Sequence, residues 1–132
     1  MAWPAHYPPG CPGSDPVPAD GQVWRIVRSA PPQEKDFKSN RLQQPRKDWG
    51  EQECEACGLS VYRTERDAAR VRELTPAFRK RLIASATLTA SHGVTLSTPR
   101  PDFPSHTTWW VLPAVEPWTL FAVSDEVRDD TP

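Results

Sequence analysis

The spacing of apolar and polar positions divides this chain into stretches of strand period and one stretch of helical period. From Gln22 to Arg28, the set Val23, Arg25 and Val27 alternates with Trp24, Ile26 and Arg28. Apolar side chains stand on both sets, which predicts a mostly buried strand. Ser29-Ala30-Pro31-Pro32 ends it, because the proline pair supplies no amide donors and holds Ala30 extended. Leu59-Ser60-Val61-Tyr62 predicts a short strand, and Thr64-Glu65-Arg66-Asp67 a helix start, with a hydroxyl cap and acids that complement the dipole. Ala68, Val71 and Leu74 then form an apolar stripe, with Arg66, Arg70 and Glu73 toward solvent, until Thr75-Pro76 breaks or restarts the helix. Alternation returns at Leu82, Ala84, Ala86 and Leu88, where Thr87 and Thr89 favour a strand. A turn at His92-Gly93 precedes a strand from Val94 to Thr98, and two more strands follow, His106 to Leu112 and Leu120 to Val123. Residues 33–52 are polar with Phe37 and Trp49 as large anchors; Gln33 to Ser39 reads as one helical turn and Asn40 to Gln52 as a long loop, functional or mobile.

These elements describe an α+β domain: a five- or six-stranded, mostly antiparallel sheet with one main helix. The length, 132 residues, suits one domain with a single modest core. Of 16 prolines, six fall in the first twenty residues, a composition that lacks donors and bulky aliphatics. Residues 1–20 therefore read as a disordered Pro-rich leader, residues 21–124 as the domain, and residues 125–132 as a frayed acidic tail able to fold weakly against the basic helix.

Net charge is −1, so no global field recruits nucleic acid or an anionic membrane. From Arg63 to Arg81, seven basic residues face three acids, a run that reads as a solvated helix face, with RNA contact through it and stacking tryptophans as a further reading. No apolar stretch approaches the ~20 residues needed to cross a bilayer. The start of the chain has neither a basic segment nor an apolar run of the secretory kind, and three cysteines is an odd number. Both observations argue against a disulfide framework and for a reducing cytoplasm.

The first candidate for chemistry is Glu53-Cys54-Glu55-Ala56-Cys57-Gly58. Two thiols three positions apart in a turn, with Gly58 at positive φ, can point both sulfurs at one metal ion. The remaining ligands are not local. A zinc site would draw on Cys11 and on His92 or His106; otherwise Cys54 and Cys57 are two reduced thiols in a turn. The second candidate is Ser105-His106-Thr107-Thr108-Trp109-Trp110. A histidine beside tryptophans can hold a ring ligand, although adjacent strand residues face opposite ways, so at most one tryptophan lines a pocket; the alternative is that both are packing residues. Arg25, alone in an apolar strand, lies on an exposed face, is buried against an acid, or reaches into a pocket. Ser-His-Asp order, Gly-rich phosphate loops and His-Glu-x-x-His are all missing from the sequence.

Trp24-Arg25-Ile26, the run Leu59 to Thr64 followed by Ala68-Ala69, and Arg81-Leu82-Ile83-Ala84 together resemble, in element order over residues 22–123, the small ADP-ribosyltransferase-like domains. That resemblance implies a split sheet gripping NAD, with Arg25 on phosphate, Ser60 or Thr64 on ribose, and His106 or a tryptophan, Trp109, against the nicotinamide. In that family a later strand delivers a catalytic Glu; here the His106 to Leu112 strand has none, and Glu116 follows in a Pro-rich turn. A transferase without its acid needs another group to stabilise the oxocarbenium-like centre. The sequence thus supports two functions: a small cytoplasmic interaction module for an unknown protein partner, stapled by zinc at Cys54, Cys57, Cys11 and His106, or an NAD-binding transferase-like protein.

Overall fold

A computed structural model describes residues 3–123; the acidic tail expected over residues 125–132 lies outside the described residues. The elements are β1 (Val17–Pro18), β2 (Gly21–Val27), α1 (Asn40–Gln43), α2 (Glu53–Cys57), β3 (Leu59–Tyr62), α3 (Glu65–Leu74), β4 (Leu82–Leu88), β5 (Gly93–Ser97), β6 (His106–Val111) and β7 (Ala122–Val123). All the strands form one antiparallel sheet in the order β1-β5-β6-β3-β2-β4-β7. The α+β class expected from the pattern is the class observed. The sheet has 7 strands rather than five or six, because β1 forms inside the Pro-rich segment. Pro18 has no N–H to give, so such a pair can only close an edge, and it does so against β5.

The sheet is joined unevenly. β2 and β4 pair from Gly21↔Leu88 through Val27↔Leu82, and β3 and β6 from Leu59↔Trp109 through Tyr62↔His106. Between β2 and β3 the register holds at Trp24↔Tyr62 alone. Beyond that pair the two strands part, and the opening between them positions the candidate site.

Alternation sorts the side chains onto two faces. Val23, Val27, Leu59, Val61, Ala84, Leu88 and Trp109 build the main core with Ala19 and Phe121. On the other face, Tyr62 and Ile83 pack against Ala68 and Val71 of α3. Thr64 caps α3 as expected, its Oγ1 accepting from Asp67 N at 3.1 Å. Leu74, at the last turn of α3, departs from the expected stripe and is 51% exposed. Residues 40–52, expected as a loop, hold α1, capped by Ser39 Oγ accepting from Leu42 N at 3.3 Å, and a 3-10 turn over Gly50–Gln52.

A third cluster gathers Cys11, Cys57 and Trp110 with Trp3, Tyr7, Cys54, Val94 and Leu96. Here Cys11 and Cys54 form a disulfide, with Cα atoms 5.6 Å apart, and Cys57 is a buried free thiol. The disulfide overturns the reading of Cys54 as a metal ligand or a reduced thiol. Parity excludes a fully paired framework, not one bond. Cys54 and Cys57 sit on helix α2 rather than in a turn, and Gly58 after them is extended, with φ −87°. Gly58 is needed for space: a Cβ there would run into Thr108 Cγ2, with Trp109 O at 3.3 Å.

Candidate functional site

Arg25 lies between Val23 and Val27 on β2, on the core side of the sheet, and its guanidinium reaches across the β2/β3 opening. Nε and Nη2 donate to the carbonyl oxygen of Asp36 at 3.0 and 2.9 Å, and Nη1 donates to the carbonyl oxygen of Ser60 at 2.7 Å. Phe37 lies under the guanidinium, 5.3 Å from ring centroid to Cζ. The three openings left by the sequence thus resolve to the last: Arg25 reaches into a pocket, bound to carbonyls rather than to a carboxylate. The Asp36 carboxylate is turned away, its oxygens accepting from Arg28 N at 2.8 Å and Gln33 N at 2.9 Å. Burial drives the Arg25 pKa down to about 10, partly offset by Tyr62 and Asp36 and reinforced by Arg81. Arg25 therefore remains a cation at neutral pH with no carboxylate against it.

A cleft of about 340 Å³ opens over Arg25, lined by Lys38, Ser39, Asn40, Gln43, Ser60, Tyr62, Phe78 and Arg81 among others, and no acid lines it. An adjoining hollow of about 220 Å³ shares Arg25, Lys38 and Arg81 and adds Arg28, Lys35 and Asp36. Five cations therefore meet one acid, and that acid is already occupied by main-chain amides. Arg81 stacks over Phe78, 4.4 Å from the ring centroid, and its pKa is lowered by burial and by Arg28, against Asp36. The elements explain the convergence. β2 brings Arg25, the 3-10 turn over Glu34–Phe37 leads to Lys38, and Arg81 precedes the first residue of β4, which pairs with the end of β2.

Ser60 and His106 meet at the edge of this cleft. Cross-strand pairing sets Tyr62 opposite His106 and Ser60 opposite Thr108 on one face. His106 Nε2 lies 3.0 Å from Ser60 Oγ, and Nδ1 lies 2.9 Å from both Thr98 O and Thr98 Oγ1. His106 is buried, edge-on to Tyr62 at 5.4 Å. Burial first, then Arg100, lowers its pKa, against the Thr98 carbonyl and Glu55.

The remaining sequence candidates lie elsewhere. Thr64 Oγ1 is committed to the cap of α3. Trp109 is fully buried, its Nε1 donating to His92 O at 3.1 Å, and Trp110 donates to Cys54 O at 2.8 Å. Both tryptophans are packing residues on opposite faces, so neither is available to stack a base in the RNA reading. Arg25 and Ser60 line one cleft, whereas Thr64 is committed to the cap of α3 and Trp109 to the core, and NAD, expected by resemblance, finds no support. The zinc staple is corrected as well. Cys11 and Cys54 are spent on each other, His106 is held by Ser60 and Thr98, and among the described residues no group of three or more His, Cys, Asp or Glu could hold a metal.

Sequence reasoning missed Lys38 and Arg81 as site residues. Arg81 stood in the charge run taken for a helix face; the signal against that reading was Thr75-Pro76, since α3 ends at Leu74 and leaves Arg81 on a different element. A second basic hollow, of about 500 Å³ on α3, is lined by Arg66, Arg70, Arg72 and Arg79, but Glu73 shares it. No helix among the described residues is long and apolar enough to cross a membrane. Compared with known proteins, the chain stands apart: no family, no curated protein and no solved structure matches it.

Proposed function

We propose that this chain is a small binding module whose ligand carries a phosphate group, held in the β2/β3 opening by Arg25, Lys38 and Arg81. The observation that carries this reading is the lining of the cleft: three cations, amide and hydroxyl donors from Asn40, Gln43 and Ser39, and no carboxylate. A buried guanidinium without a counter-anion is costly, and an arriving dianion supplies the missing charge. Arginine suits this role because its planar fork bonds two phosphate oxygens at once. Arg25 commits part of its five-donor fork to Asp36 and Ser60, which fixes the head without exhausting it. Phe78 lines the same cleft, and the face of its ring not covered by Arg81 suits an aromatic group attached to the phosphate.

Isothermal titration with phenyl phosphate tests the reading, with benzyl alcohol as the uncharged control. Binding of phenyl phosphate should weaken as salt rises, because screening acts on exposed Lys38 more than on half-buried Arg25. Arg81→Ala should weaken it at least roughly tenfold, the value of one charge-assisted hydrogen bond. Equal affinity for both compounds, or an unaltered affinity in Arg81→Ala, would remove the basis of the proposal.

A further inference from the structure

The contact between Ser60 and His106 is not used by anion binding, and it has a direction. Thr98 O can only accept, so a His106 Nδ1 lying 2.9 Å from it carries the ring proton. Nε2 then presents its lone pair, and Ser60 Oγ–H, 3.0 Å away, donates to it. The order is nucleophile, base and orienting acceptor, the arrangement that activates a serine, with a main-chain carbonyl where an acid often stands. Thr98 Oγ1 braces the same nitrogen at 2.9 Å and contacts Thr108 Oγ1 at 2.9 Å. The base is thus buried and fixed, while Ser60 is half-buried and lines the cationic cleft. Arg25 holds the Ser60 carbonyl, which ties the main chain of the nucleophile to the anion site.

We propose that Ser60 is a nucleophile activated by His106, and that the chain hydrolyses carboxylic esters whose acyl part bears an anionic group. The anionic part of this assignment rests on the phosphate-binding reading of the cleft; the nucleophile does not. In the first step Ser60 Oγ bonds to the acyl carbon while its proton passes to His106 Nε2. The ester C–O bond then breaks, and the departing alkoxide takes that proton from Nε2. In the second step a water oxygen attacks the acyl-Ser60 carbon and gives its proton to Nε2, which returns it to Ser60 Oγ as the carboxylic acid leaves. The sum is ester plus water to acid plus alcohol, with no oxidant or co-reactant.

A fluorophosphonate probe reads the nucleophile directly, because Ser60 Oγ displaces fluoride and leaves a covalent mass increment. Intact mass and peptide mapping of the native chain should place one adduct on Ser60. Ser60→Ala and urea-unfolded wild type should show none, and His106→Gln should label roughly a hundredfold more slowly, the share of a general base. In parallel, nitrophenyl hemisuccinate should be cleaved faster than neutral nitrophenyl acetate, and Arg81→Ala should erase that preference. An unlabelled native Ser60, or labelling that survives unfolding, overturns the nucleophile whatever the variants do. A Ser60 adduct without preference for the anionic ester overturns the substrate class and the phosphate-binding reading while the nucleophile stands.

Discussion

Opening the Cys11–Cys54 bond tests how the Pro-rich segment is tied to the sheet. The two residues are 43 apart in sequence, and the chain-entropy cost of closing a loop of that length in the unfolded state is about 4 kcal/mol at 25 °C. Domains of this size are stable by about 5–15 kcal/mol in total, so the bond accounts for a large share. Cys11 is also buried beside Trp110, whose indole donates to Cys54 O, so the native geometry around the bond resists relaxation. Urea unfolding of wild type, Cys11→Ser, Cys54→Ser and the double variant supplies the measurement. Each single variant and the double should lose about the same 4 kcal/mol, because both changes delete one bond. The slope of stability against urea should rise in all three, since the uncrosslinked chain exposes more surface. Cys57→Ala should cost about 1 kcal/mol, and a chelator should move no midpoint. Losses that add in the double variant, or a stability drop caused by chelation, would refute the reasoning.

Other outcomes follow from single contacts. The pKa of His106 is lowered in the fold from an ordinary value of 6.5, so below that pH the unfolded chain takes up the proton first. Stability should therefore be full above about pH 6.5 and fall as pH drops through the window beneath it; His106→Gln should flatten this slope in urea titrations, and a steeper slope would contradict it. His6 shifts the same way, so His6→Gln is the matching control. Asp36→Ala strands the Arg28 and Gln33 amides and should cost about 2–4 kcal/mol by thermal unfolding; a cost below about 1 kcal/mol would mean those amides find water. Gly58→Ala drives a methyl toward Thr108 and should cost about 1–3 kcal/mol, whereas an unchanged melting point would show that β3 and β6 can spread.

The long strands were legible because a two-residue period survives any tertiary context that keeps one face apolar. β2 and β4 announced themselves through Val23/Val27 and Leu82 to Leu88, and α3 through the Thr64 cap. Short edges were harder. Val17–Pro18 contains too few residues to show a period, and only the partner strand makes it part of a sheet. The disulfide partner could not be read from spacing, because the path that returns Cys11 to α2 depends on how the Pro-rich segment folds over Trp110. Local reading joined Cys54 with Cys57 as metal ligands or as reduced thiols, yet a helix holds those two on one chain turn while tertiary packing brings Cys11 to Cys54. The site shows the same division. Arg25 was conspicuous as a charge among apolar neighbours, but its carbonyl partners come from Asp36 and Ser60, and only the parting of β2 from β3 makes a cleft there. Ser60 and His106 are 46 residues apart and meet solely through the β3/β6 register.

The central claim is that this parting forms an anion site around Arg25. Nuclear magnetic resonance of nitrogen-labelled protein titrated with phenyl phosphate reads it residue by residue. The account expects the Nε resonances of Arg25 and Arg81 and the amides of Ser39, Asn40 and Ser60 to shift together along one saturating curve, with the arginines on the α3 face, Arg66 and Arg70, unmoved. Shifts confined to the α3 arginines, or a weak drift at every basic residue without saturation, would contradict it.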